Sequence, residues 1–375
     1  MSGKENVTAG IQKLYDFYEM KKGAPIYQEE FGFYSLERWI EEGYIKENED
    51  LNKLFMYDEQ AKVCLAQLGW CDAAFCPEFE EEVLEDRGDH ELVRDYAGRH
   101  VLFFKGRRSG FMPEYIDNPV KDWKTWERDV KWRLDPNAPG RFSGLENRMD
   151  EMKKSAEKGM VICQNLVGGY MYLRSLIGPE KIMYMVYDEP ELIHDCMKTW
   201  FELADAVIAK HQEHITIDEL FMAEDICYNN GPLISPNMIR EFLFPYYEQL
   251  IANVKKRQLD KERRLHIQID TDGDCRPVIP VYKEIGMNYM SPFEVASGCD
   301  VVEIRKQYPE LLIRGGIDKR ILAEGKDAID RELERVIPFM REQGGYIPTC
   351  DHGVPAEVDF ENYMHYRKRM IELCS

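Results

Sequence analysis

The sequence contains no CxxC pair, although it holds 10 cysteines spread from Cys64 to Cys374. Scattered thiols of this kind suit a reducing compartment, where most serve as small buried hydrophobes. No apolar run approaches the roughly 18 residues that a membrane span requires. Residues Met1 to Gly10 lack a basic-then-apolar targeting pattern. The expectation is a cytoplasmic protein with no membrane contact. Positive charge is also in short supply: the formal net charge is −20 over 375 residues. A surface that acidic repels phosphate backbones, so nucleic acid is not an expected partner. The acidity is spread along the chain, as on a solvated surface. No low-complexity segment, Ser/Gly linker or repeat interrupts it, and no GxGxxG turn marks a doubly wound nucleotide fold.

What is present is the composition of a globular enzyme, with 44% hydrophobic and 31% charged residues. The length suits one α/β barrel, expected as a single domain over residues 1–375. Ile11, Leu14, Tyr15 and Tyr18 follow helical spacing, and Ala24-Pro-Ile-Tyr27 reads as a short strand. Leu36 to Gly43 reads as a helix stopped by glycine. Two β-prone pieces around Gly106 and Gly110 predict a hairpin. Residues 118–142 predict a helix closed by the Pro136–Gly140 turn. Together, residues 95–142 form an expected lid or insertion.

From about Asn147 the rhythm becomes regular. Strands are predicted at 160–163, 220–223, 265–269, 289–292, 311–314 and 346–349, each followed by a helix. Short apolar strands alternating with helices imply a parallel sheet. The expected fold is a (β/α)8 TIM-type barrel with an N-terminal extension, in which the strand at 24–27 closes the ring. A doubly wound open sheet is the alternative.

In such a barrel, residues just after the strands face the active site. Here those residues are Glu224 and Asp225, then Asp270, Asp272 and Asp274, then Glu294, then Arg314 and Asp318, and finally Cys350, Asp351 and His352. Two chemistries fit the set. Carboxylate, imidazole and thiolate groups converging on one point make a divalent-metal site, with Cys and His favouring zinc. Alternatively, the carboxylates and Arg314 bind and protonate a polar substrate. Aspartate and glycine after a strand are also ordinary turn formers and helix caps, but five coinciding strand ends favour a site. His266 lies inside its strand and reads as a packed barrel residue. Ser235 and Pro236 read as a helix N-cap and first turn.

The stretch from DTDGD (270–274) through SPFEVASGCDVVEIRKQYPELLIRGGIDKRIL (291–322) to GGYIPTCDHGVPAEVDFENY (344–363) resembles the uroporphyrinogen-decarboxylase superfamily. EDICYNNGPLISP (224–236), LRSLIG (173–178), residues 23–43 and residues 118–136 extend the likeness over most of the chain. The resemblance implies a TIM-type barrel and two activities. True uroporphyrinogen decarboxylases clamp the substrate's carboxylates with an Arg-rich N-terminal loop. The matching region here, Ile26-Tyr-Gln-Glu-Glu-Phe31, is acidic and would repel a polyanionic porphyrinogen. The corrinoid-dependent methyltransferase branch is the nearer likeness. Its thiol-specific members bind zinc through His-x-Cys-Gly and a later Cys. Aligned on Gly273, those positions become Asp270 and Asp272, and the later Cys matches Cys350. With that motif altered, activation of an oxygen leaving group is expected in place of a thiol.

The resulting expectation is a methyltransferase moving a methyl group from a small methylated compound, an O-methyl one, to a corrinoid protein. No DxHxxG module is present, so the corrinoid arrives on a partner protein. Glu224, Asp270, Cys350 and His352 are the expected zinc ligands, with Asp272 also able to join them. Glu294, Asp272 and Arg314 are the expected catalytic residues, and Arg314, Asp318 and Asp225 the substrate-binding ones. A homodimer is the state the family suggests. A metal-free decarboxylase of another carboxylic acid and a non-catalytic binding protein are the alternatives.

Overall fold

The computed structural model describes residues 7–106 and 113–375. In chain order its strands are β1 (Lys62–Leu65), β2 (Glu82–Asp86), β3 (His90–Arg94), β4 (His100–Phe104) and β5 (Glu114–Asp117). These are followed by β6 (Val161–Val167), β7 (Glu219–Ala223), β8 (Cys227–Tyr228), β9 (Gly231–Pro232) and β10 (His266–Thr271). The last three are β11 (Tyr289–Pro292), β12 (Leu312–Arg314) and β13 (Tyr346–Ile347). Seven of them form one sheet in the order β1-β6-β7-β10-β11-β12-β13. Every ladder in that sheet is parallel. Parallel neighbours need a crossover, and helices such as Pro190–Gln212, Phe244–Arg257 and Lys326–Gln343 supply it. The sheet curls, as in a TIM-type barrel, without a ladder between its first and last strands among the described residues. Lys62 on β1 lies 5.8 Å from the ring of Tyr289 on β11, four strands away.

The ring is not closed by a strand at 24–27. That segment is extended but belongs to no ladder, and the first sheet strand is Lys62–Leu65. Residues 24–33 run instead between the sheet's edges. Asp58 N–H donates to Gln28 O, and Val354 N–H donates to Gly32 O. Their hydrogen bonds go partly to side chains, as where Cys350 N–H donates to Glu30.

Side chains alternate between the helical layer and the barrel bore. On β6, Ile162 and Leu166 join the main core, whereas Cys163 packs with Phe221 and Ala223 inside the bore. The N-terminal end of the bore is plugged. Helix Ala9–Tyr18, capped by Thr8, sets Ile11, Leu14, Phe17 and Tyr18 against Val161, Tyr289, Leu312 and Ile347. Burying each such large apolar group contributes roughly 1.5–3 kcal/mol.

Of the hairpin expected within residues 95–113, the first piece is β4; β4 pairs with β5, which lies beyond the expected span, in a four-stranded antiparallel sheet that also includes β2 and β3. The position assigned to Gly110 lies outside the described residues. The helix expected over 118–142 is shorter, running from Trp123 to Leu134 as α, π and 3-10 turns. Among the described residues no helix is long and apolar enough to cross a membrane.

Candidate active site

The bore begins with a buried ionic cluster. Glu219 on β7 accepts hydrogen bonds from Lys62 Nζ at 3.1 Å, from the Cys163 thiol at 3.3 Å and from the Tyr18 hydroxyl. Burial opposes its ionisation, but Lys62, Tyr18 and Cys163 outweigh burial and hold Glu219 below the usual carboxylate range. His266 packs against the Tyr18 ring at 4.4 Å, and burial pushes it down to about 4, as befits a neutral packed histidine. Above this floor, Cys64 pairs in register with Cys163. Cys64 is exposed, and its thiol is lowered to about 7, first by the Cys163 hydrogen bond and then, against burial, by Lys62.

The next layer up belongs to β10, β11 and β12. Gln268 Nε2 donates to Ser291 Oγ at 2.8 Å, and Ser291 donates to Asp270. Arg314 ion-pairs with Glu29 and lies 5.7 Å from the Phe31 ring. At the rim, Asp272 follows two residues after Asp270 on the same face. The turn behind it requires glycine: Gly273 has φ +75°, and a Cβ there would sit 2.7 Å from Tyr228 O. Gly273 N–H donates to Glu294 at 2.9 Å, which ties this loop to the next. Lys319 joins Glu294 at 3.4 Å and Asp351 at 3.6 Å. His352 Nε2 stands 3.8 Å from Asp272, and its ring is sandwiched near Phe31 and Tyr34. Asp225 pairs with Arg174 at 2.6 Å and holds a φ of +41°, a conformation non-glycine residues seldom adopt.

The mouth is therefore short of positive charge. Each of Arg174, Arg314 and Lys319 is already engaged by a carboxylate. Among the described residues, Asp270 and Asp272 have no lysine or arginine ion-pair partner. Burial pushes both carboxyls up, and for Asp272 the neighbouring Asp225, Asp270 and Glu294 add to it, bringing it to about 7. Asp272 is thus a carboxyl that can hold a proton near neutrality.

The sequence-predicted residues divide between the two faces of the strands. Asp225, Asp270, Asp272, Glu294, Arg314 and His352 gather at the mouth. Asp318 stays beside it in a local pair with Arg320 at 2.7 Å. The expected zinc set of Glu224, Asp270, Cys350 and His352 does not assemble. Glu224 is fully buried in the helical layer, where it accepts from Tyr170 N–H at 2.8 Å and the Tyr247 hydroxyl at 2.6 Å. Cys350 is buried on the outer side, beside Glu30 and Tyr366, and its thiol is held well above its ordinary range by burial. Among the described residues no group of three or more His, Cys, Asp and Glu side chains is placed to hold a metal ion. These residues do not fit zinc as one ligand set, because strand alternation sends Glu224 and Cys350 to the opposite face from Asp270.

Four site residues escaped the strand-end reading. Lys62 and Cys64 sit on the unrecognised first strand. Glu29 lies on the extended segment between the sheet edges, where the sequence showed only an acidic stretch. Trp70, half exposed, stacks on Phe221 at 4.7 Å over the wall of the bore.

A curled parallel α/β sheet with carboxylates, a lysine and an arginine converging at its C-terminal mouth defines an enzyme-type barrel site. The chain belongs to the uroporphyrinogen decarboxylase (URO-D) family, whose sequence profile matches residues 111–372. The uroporphyrinogen decarboxylase of Alcanivorax borkumensis is 24% identical over 199 residues, covering 50% of this chain and 51% of that protein. That of Vesicomyosocius okutanii is 22% identical over 290 residues, covering 72% of this chain and 73% of its own. This chain therefore spans about half the length of the first relative. A methyltransferase from Methanosarcina mazei has the same fold, with a TM-score of 0.56 over 97% of this chain and 98% of its own. Its sequence identity is 13%, so the likeness is one of architecture.

Proposed function

We propose that this protein is a methyltransferase of the corrinoid-dependent branch, taking a methyl group from a small O-methylated compound. The observation that carries this reading is Asp272, a partly exposed carboxyl at the C-terminal end of the strands, pushed up to about 7 by burial and by Asp225, Asp270 and Glu294. An ether oxygen leaves poorly as an anion and well as an alcohol, so a poised acid beside it lowers the barrier. The methyl–oxygen bond breaks, the oxygen keeps the bonding pair, and the Asp272 proton passes to it. Glu294, fixed by Gly273 N–H and Lys319, keeps the Asp272 loop in place. His352 lies within reach to return a proton from solvent. A corrinoid on a separate protein would supply the nucleophile that accepts the methyl group. No step is assigned to a metal, since the candidate ligands face apart.

The decarboxylase alternative requires a cation free to hold a substrate carboxylate. Arg314, its best candidate, is occupied by Glu29. The test is methyl transfer from methoxylated compounds to a reduced corrinoid protein, measured for the wild type and for Asp272→Asn. Transfer that falls steeply in the variant supports the proposal. Carbon dioxide release from a carboxylic acid, with no methyl transfer, replaces it with the decarboxylase.

A further inference from the structure

We infer that the mouth takes a small organic cation, so that the substrate is a methyl ether that also carries an ammonium group; this rests on the O-methyl reading above. Four independent features point there. The first is charge. Among the described residues, Arg174, Arg314 and Lys319 at the mouth are each engaged by a carboxylate, and Asp270 and Asp272 have no lysine or arginine ion-pair partner. Like charges held together in a concave site are relieved by a bound cation.

The second feature is Gln268. It is 1% exposed and stands on the bore face of β10, two residues below Asp270. Its amide nitrogen is used by Ser291, while its carbonyl oxygen has no hydrogen-bond partner. A buried acceptor left empty is destabilising unless something occupies it. The C–H groups or N–H of an ammonium head carry the partial positive charge such an oxygen accepts. An anionic head group would be repelled by it.

The third feature is aromatic. Trp70 rests one face on Phe221 and leaves half of its surface open, and Tyr34 is 58% exposed beside His352. Cys71, next to Trp70, has its thiol pushed up to about 11 by burial and by the charges of Asp72, Asp225 and Asp270. The Trp70 loop therefore lies against the same carboxylates. Aromatic faces beside carboxylates without a cationic partner recognise substituted ammonium ions. The fourth feature is the floor of the bore, closed at its N-terminal end by helix Ala9–Tyr18. A compact ligand can lodge its charged end inside and leave its methyl ether at the rim.

The test compares two ligands of equal shape. O-methylcholine carries the charge, and 1-methoxy-3,3-dimethylbutane replaces its nitrogen with carbon. Binding to the full chain is measured by calorimetry, with no corrinoid protein present. The expected result is at least tenfold tighter binding of the cation, weakening with added salt. Trp70→Ala and Asp270→Asn should each remove most of that preference while leaving the melting temperature close to wild type. Equal binding of the two ethers, tighter binding of the neutral one, or binding of neither would overturn the inference. Methyl transfer is then measured separately. Cation binding without transfer leaves the cation site standing and sinks the O-methyl reading. Transfer from the neutral ether at an equal rate and affinity does the reverse.

Discussion

Glu224 and Asp272 differ in kind although both carboxyls are pushed to about 7 and both follow a strand of the same sheet. Burial is the first cause in each case. For Glu224 it is opposed by hydrogen bonds from the Tyr247 hydroxyl and the Tyr170 N–H in the helical layer. For Asp272 it is reinforced by Asp225, Asp270 and Glu294, with the side chain still 42% exposed at the mouth. One carboxyl has all its partners inside the protein, and the other has an unmet need. The difference comes from parity along the strand. Glu224 follows Ala223, which faces the bore, so Glu224 faces out. Asp272 is in phase with Asp270 and Gln268, so it faces in. Position at a strand end is common to both and does not decide function.

The largest effect that would sharpen this contrast is on catalysis. Asp272→Asn should lower kcat/KM by about 100- to 1,000-fold, the range for a lost general acid, with the melting temperature unchanged. If the variant instead unfolds and the surviving fraction stays active, Asp272 is the structural carboxyl. Glu224→Ala should do the opposite. It strands Tyr170 N–H and the Tyr247 hydroxyl in a buried place, at a cost of about 2–4 kcal/mol in urea unfolding. Near-wild-type stability for that variant would break the comparison.

The pH dependences should also differ. The active form of Asp272 is protonated, so kcat/KM should hold below pH 7 and fall tenfold per unit above it. Glu224 has a folded pKa raised from 4.5 to about 7. Its stabilising contribution is complete below 4.5 and is lost as pH rises through 7, on the order of 3 kcal/mol in all. Stabilities of wild type and Glu224→Gln, whose amide stands in for the protonated carboxyl, should therefore agree best at low pH and separate as pH rises, with the wild type losing stability relative to the variant. Parallel curves would mean that Glu224 is ionised throughout.

Much of this molecule was legible in its sequence, but unevenly. From Val161 onward the strands and long helices fall close to where periodicity places them, because each strand is an apolar run and each helix has a wide apolar stripe. The first strand was missed because Lys62-Val-Cys-Leu65 is four residues long and carries a charge that only the bore explains. Ala24–Tyr27 looked more strand-like, yet its backbone bonds to loops and to the terminal helix. β2 is wholly exposed and rich in Glu and Asp, so nothing in its pattern marks a strand. At the site, the strand-end residues divide between the mouth and the opposite face, where Glu224 and Cys350 lie. Chemical type made Glu224 and Cys350 look like ligands, whereas a period of two counted from Ala223 and Ile347 turns both outward. Glu29 and Gln268 carried no motif, because what marks them is the arginine on one and the empty carbonyl of the other.

Cys350 gives the smallest effect and the most direct test of that grouping. As a ligand it would be indispensable: its loss would remove metal and activity together. As placed, its thiol lies behind the rim between Glu30 and Tyr366, with the proton held on by burial. Cys350→Ala should then leave metal content and kcat/KM at wild-type values. It should cost about 1 kcal/mol, the price of one missing buried atom. Cys350 N–H still donates to Glu30 through the backbone, so the local turn survives the change. A variant that loses bound zinc with its activity would require the 350–352 loop to rotate its thiol into the bore beside Asp270. That would return Cys350 to the catalytic face and break the parity rule that separates Glu224 from Asp272.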